Sequence, residues 1–103
     1  MNIDLNSVDL VLNLSSNLSE TDEILRNINI IFTTPKGSVP LDRDFGIDFS
    51  ILDNNLEKSK ALLTIEYIEK TSRYEPRAKV LEVQFENDAI KGILKPKVVI
   101  NIV

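Results

Sequence analysis

Histidine and cysteine are both absent from this sequence, so the side chains best suited to acid–base chemistry are its 16 aspartates and glutamates. The absence of histidine and cysteine excludes a thiolate nucleophile, a Ser-His-Asp triad, a disulfide framework and a zinc site built on thiolates. Two carboxylates could still hydrolyse a glycoside, but so many acids single out no pair, and without tryptophan there is little surface for stacking a sugar. We therefore predict no catalytic residues, no metal site and no cofactor.

Two acidic stretches resemble parts of ion-binding loops. Residues 42–44 place two aspartates two positions apart, and residues 53–55 read Asp-Asn-Asn. Neither belongs to a twelve-residue calcium loop with its central glycine and terminal glutamate, so we predict turns or helix caps. Asp44, Phe45 and Gly46 also match the magnesium-binding tripeptide of protein kinases, but the other kinase motifs are missing and the chain is too short.

The tripeptide Glu75-Pro76-Arg77 is the most informative short motif. Pro76 has a fixed φ and disfavours helical geometry at Glu75, so a helix must stop near Tyr74. Side chains two positions apart in an extended segment project to the same side, so Glu75 and Arg77 should form a carboxylate–guanidinium pair. This pair either faces water at a helix end or docks on a partner through bidentate hydrogen bonds from Arg77.

Hydrophobic periodicity predicts the elements that position these motifs. Residues 8–14 alternate between apolar and more polar side chains, which indicates a half-buried strand. A first helix follows, with Ser19 or Thr21 as its cap, and Pro35 and Gly37 end it. Its apolar stripe at helical spacing consists of Ile24, Leu25, Ile28, Ile31 and Phe32.

The next two segments are a long connection and a second helix. Residues 33–55 have no sustained period but contain many large apolar side chains, so we expect this connection to pack in an ordered way. The second helix should span residues 56–72, with a central stripe of Ala61, Ile65 and Ile68. Further apolar residues off that line give the helix a wide apolar surface and suggest contact on more than one side; they are Leu62, Leu63 and Tyr67.

The C-terminal part reads as a β-hairpin. Residues 81–86 and 90–102 each alternate between apolar and polar side chains, with a turn around Asn87-Asp88 between them. Pro96 has no amide hydrogen and should lie at a sheet edge or a bulge. The predicted fold is α+β, with a small antiparallel sheet (the N-terminal strand plus the C-terminal hairpin) packed against two main helices.

Length and charge limit the remaining possibilities. The 103 residues fit one domain, residues 1–103, and the net charge of −4 argues against binding nucleic acid. The first residues have no basic region or long apolar stretch, so we predict neither a signal peptide nor membrane insertion.

Three motifs in order resemble a known family. The segment 24–47, ILRNINIIFTTPKGSVPLDRDFGI, is similar to the phage baseplate assembly protein W family. That family includes baseplate wedge proteins of contractile-tailed phages and sheath-initiating subunits of type VI secretion and related contractile injection systems. The family's helix stop corresponds to residues 34–37 and its Asp-Phe-Gly stretch to residues 40–46, and its Glu-Pro-Arg signature is intact at residues 75–77.

The resemblance implies a structural role in a baseplate. Partners would be the core bundle of the wedge proteins and the contractile sheath protein, with inner tube or hub proteins as further candidates. The Glu-Pro-Arg region would dock on the core bundle, and the expected partner-binding residues are Arg43, Asp44, Phe45, Gly46, Glu75, Pro76 and Arg77. The C-terminal strand would exchange with neighbouring sheath subunits through Lys97, Val98, Val99, Ile100, Asn101 and Ile102. The protein would be assembled in the bacterial cytoplasm and then belong to the baseplate of a phage virion or tail-like particle.

Two other functions remain open at this point. Some members of the family carry a lysozyme-like name, which would make the chain a muralytic acid hydrolase. The chain could also be a small adaptor protein that only shares the α+β pattern.

Overall fold

The computed structural model describes residues 2–5, 8–12, 18–88 and 93–102. Its elements, in chain order, are β1 (Asn2–Ile3), β2 (Asp9–Leu12), α1 (Leu18–Thr33), a 3₁₀ helix (Phe49–Asp53), α2 (Leu56–Tyr74), β3 (Ala78–Asp88) and β4 (Ile93–Ile102). The predicted α+β class is confirmed, with two main helices and one sheet. Within the described ranges, no helix is long and apolar enough to cross a membrane.

The sheet is built around β4. β3 pairs with one edge of β4 in antiparallel orientation, whereas β1 and β2 follow one another along the other edge, both parallel to β4. The prediction of an entirely antiparallel sheet was therefore wrong for the N-terminal strand. A tight turn forces the strands of a hairpin to run antiparallel, but both helices separate β2 from the hairpin, so no local signal fixes its direction.

The hairpin itself is confirmed, with a shifted turn. Alternate residues of β4 are buried, including Leu94, Val98 and Ile100, as the alternation predicted. The predicted turn residues Asn87 and Asp88 instead belong to β3, where they pair with β4. Residues 89–92, which include the predicted strand residues 90–92, lie outside the described part of the chain.

A β-bulge changes the inward face of β3. Val80 pairs with Ile100 and Glu82 with Val99, so Leu81 is the extra residue in β3. Val80 is buried, whereas Leu81 remains 47% exposed. Simple alternation along β3 predicts that Leu81 faces inward, which is wrong. The bulge exchanges the inward and outward positions of the residues on its N-terminal side.

Pro96 lies in the central strand rather than at a sheet edge, contrary to the prediction. Its side chain is fully buried, and it pairs with Phe85 of β3. On the other edge of β4, β1 ends its pairing at Leu94 and β2 begins at Lys97. Pro96 therefore occupies the gap between β1 and β2, where neither N-terminal strand requires an amide hydrogen from it.

The first helix begins earlier than its predicted caps. α1 starts at Leu18, so Ser19 and Thr21 lie inside the helix, and Thr21 is buried. The helix ends at Thr33, ahead of Pro35, as predicted. Its predicted apolar stripe is confirmed, because four of the five residues are buried and Leu25 packs against them; the four are Ile24, Ile28, Ile31 and Phe32.

The second helix buries the face opposite to the predicted central stripe. Leu63 and Tyr67 are fully buried, and the Tyr67 ring lies against Phe32 with centroids 4.3 Å apart, whereas Ile65 and Ile68 are about half exposed. Periodicity finds both apolar faces of a helix but does not rank them. The larger aromatic area of Tyr67 favours its burial. Asn55 caps the N-terminus of α2, because its side chain accepts a hydrogen bond from the Lys58 amide.

Among the residues that the structure describes, the buried hydroxyl of Tyr67 has no hydrogen-bond partner, and burial raises the pKa of Tyr67. Because an unpartnered buried hydroxyl costs free energy, Tyr67→Phe should leave the free energy of unfolding unchanged or raise it by about 1 kcal/mol. Tyr74→Phe is the control, since it removes a hydrogen bond to Asp42 and should destabilise the fold. Urea unfolding measures the free energy of unfolding of both variants. A loss of stability in Tyr67→Phe would contradict the conclusion that the buried hydroxyl has no partner.

Candidate functional site

The connection between the helices is an ordered loop that is closed at its base. The Ile47 amide donates to the Thr34 carbonyl oxygen at 2.8 Å, and the Lys36 amide donates to the Ile47 carbonyl oxygen at 2.8 Å. Ile47 is fully buried and Ile51 nearly so, which confirms that this segment packs against the core. Between these anchors the loop projects outward, and Leu41 near its tip is 100% exposed.

Gly46 makes the closure of this loop possible. Its φ is +97°, a conformation that side-chain-bearing residues rarely adopt. A Cβ atom at this position would lie 2.2 Å from the Thr34 carbonyl oxygen, which is the acceptor of the Ile47 amide. The backbone conformation and the close approach to Thr34 therefore explain the glycine of the Asp-Phe-Gly stretch without any ligand.

The Asp-Phe-Gly stretch packs on the C-terminal end of α2. The Phe45 and Tyr74 rings pack in a T-shaped arrangement with centroids 5.0 Å apart, and the Tyr74 hydroxyl donates to Asp42 at 3.0 Å. Lys70 donates from its ammonium group to the Asp44 carbonyl oxygen, and the Asp44 carboxylate lies 3.5 Å from the Arg73 guanidinium. Polar and aromatic contacts thus fix the loop to the helix.

Arg43 points back across its own loop. Its Nη1 atom donates to the Gly37 carbonyl oxygen at 3.2 Å. This hydrogen bond spans the loop and restricts the conformations of the segment that carries Leu41. The predicted partner-binding residues Arg43, Asp44, Phe45 and Gly46 thus have identifiable roles within the chain.

Glu75 and Arg77 form the predicted carboxylate–guanidinium pair. Arg77 Nε donates to Glu75 Oε1 at 2.7 Å, and Arg77 Nη2 donates to Glu75 Oε2 at 3.0 Å. The side chain of Glu75 is only 4% exposed, whereas that of Arg77 is 39% exposed. Glu75 lies outside helical geometry, with φ −140° and ψ 72°, as expected for a residue before Pro76, although it is not fully extended.

Two groups of α1 complete this cluster. Asn27 donates from its amide group to Glu75 Oε2 at 3.0 Å, and Glu23 Oε1 lies 3.7 Å from Arg77 Nη2. The hydrogen bonds from Arg77 and Asn27 hold the pKa of Glu75 below its usual range, although burial opposes the shift. Glu75 is therefore ionised at neutral pH, and it ties α1 to the segment that follows α2.

The two motifs converge at one end of the molecule. Phe45 contacts Tyr74, the residue directly before Glu75, and Asn27 contacts Glu75 from α1. A cavity of about 160 Å³ lies here, lined by Asn27, Ile30, Ile31, Phe45 and Tyr74. We call the residues that line this cavity, together with Arg77, the motif face.

The sequence did not reveal several contributors to the motif face. Asn27 and Ile30 belong to α1, and Lys70 and Tyr74 to α2, far in sequence from the residues they contact. The one available signal was the position of Tyr74 directly before the Glu-Pro-Arg tripeptide. No pattern in the sequence relates Asn27 to Glu75.

The predicted strand-exchange residues lie in the centre of the sheet. Lys97, Val98, Val99 and Ile100 pair with β3 on one side and with β2 on the other. This strand is therefore not a sheet edge, because β1 and β2 add to the hairpin along β4. In the described part of the chain, Asn101 and Ile102 pair with β3 alone, and the outer sheet edges belong to β3 and to β1 and β2.

No family model matches this chain. No curated protein matches its sequence either. Function is therefore inferred from the motif resemblance and from the residues of the motif face.

Proposed function

We propose that this protein is a structural subunit of the baseplate of a contractile phage tail or tail-like particle. In this role it docks on the core bundle of the wedge proteins and templates the first ring of the contractile sheath. The observation that carries the proposal is the convergence of the two family-like motifs on one surface. Residues 43–46 and 75–77 are distant in sequence, yet both are held against the end of α2.

The motif face suits docking because its groups are held in place before a partner arrives. Arg77 is fixed by two hydrogen bonds to a buried carboxylate, while part of its side chain remains exposed. Ile30 is 47% exposed at the rim of the cavity, and Leu41 is fully exposed on the neighbouring loop. Preorganised apolar groups beside an oriented guanidinium are typical of residues that dominate protein–protein binding.

Contact with the sheath requires a different route from the one predicted. Lys97–Ile100 can exchange strands with a sheath subunit only if β2 leaves the sheet, and β2 is held by four residue pairs. Alternatively, an extended arm of the sheath subunit can add to an outer edge of the sheet, which is a common mode of strand addition. In either case the sheath contact uses the sheet and the wedge contact uses the motif face.

Leu41→Asp tests the wedge contact. The side chain is fully exposed, so the substitution should change the free energy of unfolding by no more than about 0.5 kcal/mol. Introducing a charge at an apolar anchor should weaken binding to co-expressed wedge proteins by roughly tenfold or more. Co-purification followed by titration of the purified complex measures the effect.

Leu81→Asp is the matched control, because Leu81 is an exposed leucine on β3, outside the motif face. It should leave wedge binding unchanged. Equal binding by the wild type and Leu41→Asp would contradict a docking role for this loop. Clearing of a peptidoglycan zymogram by the purified chain would contradict a purely structural function.

A further inference from the structure

The outward face of α2 carries an apolar stripe at the spacing of a helix–helix seam. The stripe consists of Ala61, Ile65 and Ile68, spaced four and three residues apart, with Lys58 before it and Ser72 after it, and all five residues are exposed. Ile65 is 51% and Ile68 is 47% exposed, which is unusual for isoleucines in the middle of a long helix. The three-four spacing is the one by which a helix presents a continuous seam to a second helix.

This stripe is separate from the motif face. Ile65 and Tyr74 are about two and a half helical turns apart, so their side chains leave α2 in opposite directions. One groove beside the stripe lies against the 3₁₀ helix and includes Ile65 and Glu69; another lies against the start of β3 and includes Ile68 and Ser72. The stripe is thus a ridge between two grooves, and it does not depend on the proposed function.

Two charged residues flank the stripe on the same side. Lys58 lies at the N-terminal end of the ridge and Glu69 near its C-terminal end, and both are exposed. Arg73 follows Glu69 by about one helical turn, but its guanidinium lies beside the Asp44 carboxylate. Among the described residues, neither Lys58 nor Glu69 takes part in an ion pair.

From this charge pattern we propose that the outer stripe of α2 binds a second copy of this chain, with the two α2 helices antiparallel and crossing between Ala61 and Ile65. In that arrangement Lys58 of each copy lies beside Glu69 of the other, and the two-fold axis repeats the contact. In a parallel pair, the corresponding flanks of the two helices lie on opposite sides of the seam, so Lys58 of one copy would not meet Glu69 of the other. Pairing of Lys58 with Glu69 therefore requires the antiparallel arrangement.

The interface is small. One helix on each side buries less area than a standard protein–protein interface, so the dimer should dissociate in roughly the micromolar to millimolar range. Ala61 allows close approach of the two helices, and the isoleucines supply the apolar contact. Dimerisation also removes an exposed apolar ridge from water.

Analytical ultracentrifugation of the full chain, over concentrations up to about 1 mM, tests the proposal. We expect a reversible monomer–dimer equilibrium for the wild type and a monomer for Ile65→Glu. Ile30→Glu is the matched control, because Ile30 is equally exposed but lies on α1, and it should still dimerise. A wild type that is monomeric at all these concentrations, or a dimer that persists in Ile65→Glu, would overturn the proposal.

Swapping the charges of Lys58 and Glu69 tests whether the interface depends on their ion pairs or only on apolar contact. Lys58→Glu and Glu69→Lys should each raise the dissociation constant by roughly tenfold, since each places like charges together twice. The double variant should restore dimerisation. Both substitutions interact favourably with the dipole of α2, because they place an acid near its N-terminus and a base toward its C-terminus. Loss of the dimer would therefore not reflect a weaker helix. Equal dissociation constants for all four proteins would overturn the antiparallel arrangement.

Discussion

Gly46→Ala should destabilise the protein by about 3 kcal/mol, which is a large effect for the addition of one methyl group. Alanine would have to adopt a φ of +97°, and its Cβ would meet the Thr34 carbonyl oxygen at 2.2 Å. That oxygen accepts the hydrogen bond from the Ile47 amide that closes the loop. Relief of the clash therefore requires the base of the loop to open, which would also expose Ile47.

Gly37→Ala supplies the control for this prediction. Gly37 also has a positive φ, of +90°, but a Cβ atom there would meet no atom of the described part of the chain within 4 Å. Only the backbone strain should act, at a cost of about 1 kcal/mol. Urea unfolding of both variants therefore separates strain from steric contact. Equal losses in the two variants would show that the approach of Gly46 to Thr34 is unimportant.

The parts of the fold that the sequence predicted correctly depend on neighbours along the chain. The inward face of β4, the end of α1 before Pro35 and the cap at Asn55 all follow from local periodicity or local backbone chemistry. The Glu75–Arg77 pair belongs to the same group, because proline geometry and an i,i+2 spacing are sufficient to place both side chains together.

The features that were missed depend on residues far apart in the chain. The position of β4 in the centre of the sheet depends on β1 and β2, which begin more than eighty residues earlier. The choice of buried face in α2 depends on Phe32 of α1, which covers Tyr67. Periodicity assigns faces to single elements, but it contains no information about which face another element covers.

The candidate site divides in the same way. The tripeptides that contain Phe45 and Glu75 could be recognised individually, but their meeting through Tyr74 and Asn27 could not. Both contacts join segments separated by an entire helix or more. For this reason the sequence predicted Arg77 as a docking residue without showing that it also stabilises a buried charge.

Arg77→Ala should cost about 2–4 kcal/mol of unfolding free energy at pH 7, because it leaves Glu75 buried and ionised without its main partner. Loss of partner binding by this variant alone would therefore not show that Arg77 touches a partner. Arg73→Ala is the matched control, because its ion pair with Asp44 is exposed and should contribute less than about 1 kcal/mol.

The pH dependence distinguishes a buried pair from a general packing defect. In the wild type the pKa of Glu75 is lowered by folding, so the pair contributes its full stability above the ordinary glutamate pKa and loses it as the pH falls through the lowered value. In Arg77→Ala, burial dominates and raises the pKa of Glu75, so acid protonates the carboxylate and relieves the unpaired charge.

The difference in unfolding free energy between the wild type and Arg77→Ala should consequently be largest near pH 7 and shrink toward pH 3. Urea unfolding at several pH values measures it. Glu75→Gln combined with Arg77→Ala removes the buried charge and should recover part of the loss at pH 7. A deficit that is constant with pH, or a double variant no more stable than Arg77→Ala, would show that Arg77 stabilises the fold by packing rather than by pairing with Glu75.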